Sequence, residues 1–187
     1  MDATVELVCH PRTRTGVVRR IEARVRRTPD GVLGLTFALA GDLARVRVPP
    51  PGPPRIAHDL WRHTCFEAFV AVDGAAAYHE LDLAPSGAWG AFAFRGYRDG
   101  EPVADEALAP RIAVRAACDR LELDARVPLH RLSPAHPRAS LRLGLAAVVE
   151  DAGGALSYWA LHHPAGTPDF HHGDAFRVRL EPPAGAC

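Results

Sequence analysis

Apolar and polar residues alternate with a period of two along most of this chain. Phe66, Ala68 and Val70, for instance, share one face of an extended segment, and Glu67 and Phe69 share the other. The alternation recurs in short stretches separated by Gly, Pro and Asp turns, and no long stretch has the helical period. We therefore predict an all-β fold, an antiparallel β-sandwich in which helix is limited to short turns.

Turn signals and a proline run divide the chain into these strands. Asp30-Gly31 and Asp73-Gly74 mark turns. The run from Pro49 to Pro54 excludes helix and ladder pairing, so we expect a stiff surface connection there. One helical turn is predicted at 129–132. The predicted strands cover 5–10, 16–27, 32–40, 43–48, 64–73, 77–84, 89–98, 113–117, 121–127, 141–149, 156–161 and 176–180.

Length and composition indicate one globular domain. The chain has 187 residues, of which 48% are hydrophobic, enough for a sizeable core and too many for a disordered protein. No internal repeat and no linker divides the sequence. We expect residues 1–187 to form a single domain.

Charge and hydropathy exclude two classes of partner. The 22 basic residues, all of them arginine, balance 22 acidic residues, so there is no basic footprint for nucleic acid. No apolar run approaches the roughly 18 residues that span a bilayer, and the N-terminus does not resemble a signal peptide. We expect a cytoplasmic protein that binds neither nucleic acid nor membrane.

The cysteines are Cys9, Cys65, Cys118 and Cys187, widely spaced and without a CxxC pair. This spacing excludes a zinc ribbon and is not that of a disulfide scaffold. Cys65 and Cys118 lie in strand patterns, and we expect both to be reduced thiols in the core.

Aromatic and acidic residues gather between residues 60 and 100. Glu67 shares a strand face with Phe69, and Glu80 shares one with Tyr78, although a carboxylate among apolar neighbours needs a donor or pays a desolvation cost. Three interpretations remain open for the two glutamates: a structural ion pair with Arg95 or Arg98, hydrogen bonding to a ligand, or acid/base catalysis of the glycosidase type. Asp82 is interpreted as a turn residue that bonds nearby backbone amides.

A set of residues in this segment and in a block near the C-terminus has a recognisable order. The set is Leu60-Trp61, Thr64 to Glu67, Tyr78, Glu80, Asp82, Pro85, Gly87, Trp89, Phe94, Tyr97-Arg98, Tyr158 to Leu161, His163-Pro164 and Gly166 to His171. In these residues the chain resembles the DOMON-like domains and, more distantly, the family 9 carbohydrate-binding modules. The resemblance implies a β-sandwich that binds sugar or haem and usually performs no chemistry.

We predict a ligand site built from aromatic rings that stack on a sugar and from polar groups that bond its hydroxyls. Each tryptophan has core filling as its alternative, and the rim position of Trp61 favours exposure. The candidate ligand-binding residues are Trp61, Glu67, Tyr78, Glu80, Trp89, Arg98, Trp159 and His171.

Four histidines near the C-terminus raise the question of a metal or a haem. His162-His163 and His171-His172 match no metal-binding spacing, and we predict loop histidines and no metal site. Met1 is the only methionine and the chain has no lysine, so bis-histidine ligation is the remaining form of a haem site. We predict no cofactor.

The primary hypothesis is a non-catalytic module that binds a small molecule, a sugar or glycoconjugate. Its alternatives are a haem-binding or redox module, a glycoside hydrolase that uses Glu67 and Glu80, and a structural or assembly domain. The sequence leaves the identity of the ligand and the oligomeric state open.

Overall fold

The computed structural model describes residues 2–183, and Met1 and Cys187 lie outside that part. Strands dominate it, and helix is confined to one α-helical turn, α1 (Leu129–Leu132), and short 3₁₀ turns. The strands are β1 (Asp2–Cys9), β2 (Val18–Arg27), β3 (Val32–Gly41), β4 (Arg55–Ile56), β5 (Cys65–Val72), β6 (Tyr78–Leu83), β7 (Ala88–Gly96), β8 (Asp99–Pro102), β9 (Arg111–Ala116), β10 (Arg120–Pro128), β11 (Leu141–Glu150), β12 (Leu156–Ala160) and β13 (Val178–Leu180). The 3₁₀ turns are Leu43–Arg45, Leu60–Arg62, Glu106–Leu108 and Gly173–Ala175.

The strands form one curled sheet in the order β4-β7-β6-β5-β11-β12-β1-β2-β3-β10-β9, with β8 on β7 and β13 on β11. Strand β1 joins its two halves: it pairs with β2 from Asp2 to Leu7, and then with β12 through Val8 and Cys9. The prediction of a β fold with only short helical turns is thus confirmed. The prediction of an antiparallel sandwich is not, because the hydrogen-bonded path is continuous and β4 pairs with β7 in parallel.

The main core lies between the two halves of the curled sheet. The rings of Phe37 on β3 and Phe66 on β5 stack with centroids 5.1 Å apart. Alternate leucines and valines of β2, β3, β10 and β11 surround them, and Trp89 is 1% exposed in the same cluster. This burial of apolar side chains is the main favourable contribution to folding.

Several local predictions are corrected by the fold. Residues 43–45 form a 3₁₀ turn instead of the start of a strand. Cys118 is exposed, whereas Cys65 is buried as expected. Within residues 2–183 there is no helix that is both long enough and apolar enough to cross a membrane.

Candidate functional site

The candidate site lies on the outer face of the sheet half that contains β5, β6, β7, β11 and β12. Strand β5 is buried on both faces. Its side chains alternate between the two faces, so Phe66 lies in the main core and Glu67 lies on this outer face. The register places Glu67 beside Asp82 on β6 and beside Ala146 on β11. Asp82 in turn lies beside Gly90 on β7. Small residues on both sides of the two acids leave open space above them.

That space is a cavity of about 500 Å³. Rings form much of its wall, namely Trp61, Phe92, Phe94, Tyr158 and Phe170. The polar groups that reach it include Glu67, Glu80, Arg98 and His171. A concave, mostly apolar site with a few convergent polar groups is the usual form of a small-molecule site.

Glu67 and Glu80 form the floor of the cavity, with Asp82 beside Glu67. Within residues 2–183, these three carboxyl groups have no basic partner. Glu67, Glu80 and Asp82 are 2%, 6% and 0% exposed. Both oxygens of Asp82 and Oε1 of Glu67 receive no hydrogen bond from any donor in the described chain. The pairing of Glu67 or Glu80 with Arg95 or Arg98 is therefore wrong. Nor is Asp82 a turn residue, since it lies inside β6.

Burial raises the pKa values of all three acids, and the neighbouring acids add to the shift at Glu67 and Glu80. Burial raises the pKa of Glu80 to about 9 and that of Asp82 to about 7. The pKa of Glu67 is raised well above its usual value, by burial first and then by the charges of Asp82 and Glu80.

His171 is a neutral ring fixed beside these acids. Burial lowers its pKa to about 4. The hydroxyl of Tyr78 accepts the backbone N–H of Arg98 at 3.2 Å and lies 2.9 Å from Nδ1 of His171, so its proton is available for that nitrogen. This assignment leaves the proton of His171 on Nε2, which lies 3.8 Å from Oε2 of Glu80. The imidazole thus directs an N–H toward the cavity floor.

Arg98 is held at the mouth of the cavity by Asp169. Its Nη2 lies 2.9 Å from Oδ1 of Asp169, and the hydroxyl of Tyr97 donates to Oδ2 at 2.7 Å. Arg98 has a positive φ of 54°, in the left-handed region that turns favour. The turn between β7 and β8 thereby brings this guanidinium over the loop that contains His171.

An aromatic cluster on this face of the sheet fixes the loop that contains Phe170 and His171. Tyr78 stacks on Phe94 with centroids 4.7 Å apart and an interplanar angle of 7°. Phe69 contacts the edges of Phe170 and His171 with centroids 6.5 and 5.2 Å apart. Such contacts contribute about 0.5–1.5 kcal/mol per pair beyond the area they bury, so the loop is positioned by packing.

The structure brings most of the predicted site residues together. Trp61, Glu67, Glu80, Arg98 and His171 line the cavity. Tyr78 is buried directly behind them and bonds two of them through its hydroxyl.

Two of the predicted site residues lie elsewhere. Trp89 and Trp159 belong to the main core, where they are 1% and 7% exposed. The indole N–H of Trp159 donates to Oγ of Ser157 at 3.0 Å. Both tryptophans fill the core, as the alternative interpretation held, and we leave them out of the proposed site.

Sequence reasoning missed four rings that form the wall. Phe92 and Phe94 come from β7, Tyr158 from β12 and Phe170 from the closing loop. The signal for Phe92 was its place two residues before Phe94 on the same strand face. Tyr158 and Phe170 belonged to the C-terminal block, whose position opposite the central strands was not evident from sequence.

The histidines do not gather around a common point. His163 bonds the carbonyl of Val8 at 2.8 Å, and its ring stacks edge-on against His10. Among the residues that the structure describes, His171 is the one histidine that lines the cavity. The group of described residues with the spacing of metal ligands is instead Cys65, Glu67 and Asp82, whose ligand atoms lie within 4.8 Å of one another.

Solved structures of other proteins are similar to this chain. A candidate carbohydrate-binding protein from Bacteroides uniformis matches 94% of this chain and 84% of its own length, with a TM-score of 0.66 at 13% identity. A family 9 carbohydrate-binding module from Caldicellulosiruptor kristjanssonii in complex with cellotriose has a TM-score of 0.47 at 9% identity, covering 83% of this chain and 75% of the module.

The same module in complex with glucose has a TM-score of 0.46 at 10% identity, covering 83% of this chain and 77% of the module. No protein-family model and no curated protein matches the sequence. The chain thus shares its fold with the Bacteroides uniformis protein.

Proposed function

We propose that this protein is a non-catalytic module that binds a saccharide in the cavity between Trp61 and His171. The observation that carries the proposal is the composition of the cavity. Rings form its wall, and carboxyl, guanidinium and imidazole groups converge on the same space. Ring faces pack against the C–H faces of a pyranose, and the polar groups bond its hydroxyls.

The polar groups suit hydroxyl recognition. Glu80 offers an acceptor and a donor because its carboxyl is protonated at neutral pH, and His171 offers the N–H of Nε2. Arg98 at the mouth adds guanidinium donors in a fixed plane, since Asp169 holds it. A saccharide hydroxyl both donates and accepts, and this set of groups matches both roles.

The alternatives find less support in the cavity. A glycoside hydrolase needs one carboxyl that is ionised at working pH, whereas the pKa values of Glu67 and Glu80 are both raised by burial. A bis-histidine haem site needs a second ring nitrogen opposite His171, and no other described histidine lines the cavity.

The similarity of the fold to another protein supports the proposal. The neighbour from Bacteroides uniformis is a candidate carbohydrate-binding protein of the same fold. We further propose that the chain is a single DOMON-like domain, because both blocks that carry this resemblance contribute to one cavity. The lining residues from these blocks are Trp61, Glu67, Glu80, Phe94, Arg98, Tyr158, Pro168, Phe170 and His171.

A glycan array followed by calorimetric titration tests the proposal. Trp61 is 44% exposed, so Trp61→Ala should leave the fold intact and weaken binding of an array hit about tenfold, which corresponds to about 1.4 kcal/mol. Trp61→Phe keeps a ring and should retain most of the affinity. Glu80→Gln should also weaken binding, and Glu101→Gln, an exposed position on β8, is its matched control. Unchanged affinity in both Trp61→Ala and Glu80→Gln would remove this cavity as the site.

A further inference from the structure

We propose that the saccharide bound here carries a free amino group, and that its ammonium lies against Glu67 and Glu80 on the cavity floor. This inference rests on the proposed function, because it specifies the chemical class of the ligand for the same cavity. An amino sugar differs from its neutral counterpart by one substituent, so the two affinities can be compared directly.

The acids of the cavity floor lack partners within the protein. Glu67, Glu80 and Asp82 are buried side by side, yet the arginines at the end of β7 are engaged elsewhere: Arg95 with Asp99, and Arg98 with Asp169. Within residues 2–183, Glu67 and Asp82 have no salt bridge, and Glu80 has only the neutral ring of His171 at 3.8 Å. In the free protein these acids avoid an unpaired charge through their raised pKa values, whereas a cation bound beside them would lower those pKa values and serve as the partner that a buried carboxylate normally has.

One of the unsatisfied oxygens belongs to a side chain that lines the cavity. Glu67 lines the cavity, and its buried Oε1 has no hydrogen-bond partner in the described chain. An ammonium group supplies three N–H donors on one atom, enough for Glu67 and Glu80 together. A single sugar hydroxyl supplies one donor, so two neighbouring hydroxyls would be needed where one ammonium is enough.

The aromatic wall above the acids also favours a cation. Phe92, Phe94, Tyr158 and Phe170 surround the space over the floor. The faces of aromatic rings attract a cation, and most strongly where water is excluded. The guanidinium of Arg98 repels a cation, but it lies at the mouth and its charge is balanced by Asp169.

A metal ion on Cys65, Glu67 and Asp82 is the competing explanation for the unpaired oxygens. It would need the thiolate of Cys65, whereas burial holds the pKa of this thiol well above its usual value. The Sγ atom also lies 3.7 Å from the carbonyl oxygen of Phe66, a contact in which it donates its proton. An ammonium ligand requires no change at Cys65, and we therefore favour it.

Calorimetric titration of the full chain at pH 7 tests the inference. The protein is first treated with EDTA and then titrated with glucosamine, glucose and N-acetylglucosamine, with galactosamine and galactose, and with phenethylamine and Zn²⁺ separately. We expect at least one free amino sugar to bind at least tenfold more tightly than its neutral and N-acetylated counterparts. Glu67→Gln should abolish that preference, Glu80→Gln should reduce it, and Glu101→Gln should leave it unchanged.

Each other outcome has a distinct meaning. Equal affinity for amino and neutral sugars overturns the inference and leaves the proposed function standing. Binding of phenethylamine without any sugar supports the cationic site and overturns the saccharide function. Tight binding of Zn²⁺ with no amino-sugar preference assigns the acids to a metal, and binding of none of the probes overturns both proposals. Thermal melts of the variants exclude misfolding, and the two glutamine variants test the same preference independently.

Discussion

Replacing Asp82 with Asn should stabilise the free protein, although Asp82 is completely buried. An aspartate in β6 has to remain protonated or lie as a charge beside Glu67 and Glu80, whereas asparagine is neutral at every pH. The amide also supplies N–H donors. In the wild type, Oε1 of Glu67 and both carboxyl oxygens of Asp82 receive no hydrogen bond from the described chain. A buried acid without a partner carries a desolvation cost, and its replacement by a neutral amide relieves the part of that cost due to charge.

The magnitude follows from the shift in pKa. Burial raises the pKa of Asp82 from 3.8 to about 7. The folded state thus binds a proton that the unfolded state has released between these values, and the stability of the wild type falls as pH rises through this window, by about 1.4 kcal/mol per pH unit. Asp82→Asn removes this contribution. We expect the variant to exceed the wild type by about 1 kcal/mol at pH 5 and by a further 2–3 kcal/mol or so at pH 8.

Urea denaturation followed by circular dichroism at pH 5, 6, 7 and 8, in EDTA, measures this difference. Asp119→Asn is the control, since the side chain of Asp119 is 72% exposed and lies 3.7 Å from Arg19. The control should change stability by less than about 1 kcal/mol at every pH. If Asp82→Asn destabilises the protein, or if its effect does not grow with pH, the result would contradict the claim that Asp82 is a buried acid with a raised pKa and no hydrogen-bond donor.

Three further predictions concern the core and the titration of a buried histidine. Trp89→Ala should cost about 3–5 kcal/mol in urea denaturation, whereas the exposed Trp61→Ala should cost less than about 1 kcal/mol. Gly41→Ala should lower the melting temperature, because a Cβ there would lie 2.4 Å from the carbonyl oxygen of Val17, and should cost about 1–3 kcal/mol. Burial lowers the pKa of His136 to about 4, so stability should fall as pH decreases from 6.5 to 4, and His136→Gln should reduce that slope in melts at these pH values.

The strands that build the site were predictable because their alternation is strong. The segments 64–73, 77–84 and 89–98 correspond to β5, β6 and β7 with shifts of one or two residues at their ends. Weak or short elements were not predictable: Asp99-Gly100 carries a turn signal, yet it begins β8, and the turn lies at Tyr97-Arg98 instead. Pairing with β7 outweighs the local preference there.

The composition of the site was only partly predictable, for a geometric reason. A period of two assigns Glu67 and Phe66 to opposite faces, but it does not say which face meets the main core when both faces are buried. Trp89 was for this reason assigned to the site, although its face of β7 packs in the core. Register is equally invisible in the sequence, so Asp82 was not recognised as the direct neighbour of Glu67.

Chemical-shift mapping of the ¹⁵N-labelled protein during titration with the tightest saccharide tests the central claim most directly. The account predicts saturable shifts of the indole N–H of Trp61 and of amides near Glu67, Glu80, Tyr158 and His171. The indole N–H of Trp159, which is bonded to Ser157 in the core, should stay in place. Shifts centred on the opposite half of the sheet, or none at saturating saccharide, would contradict the claim that this cavity binds a saccharide.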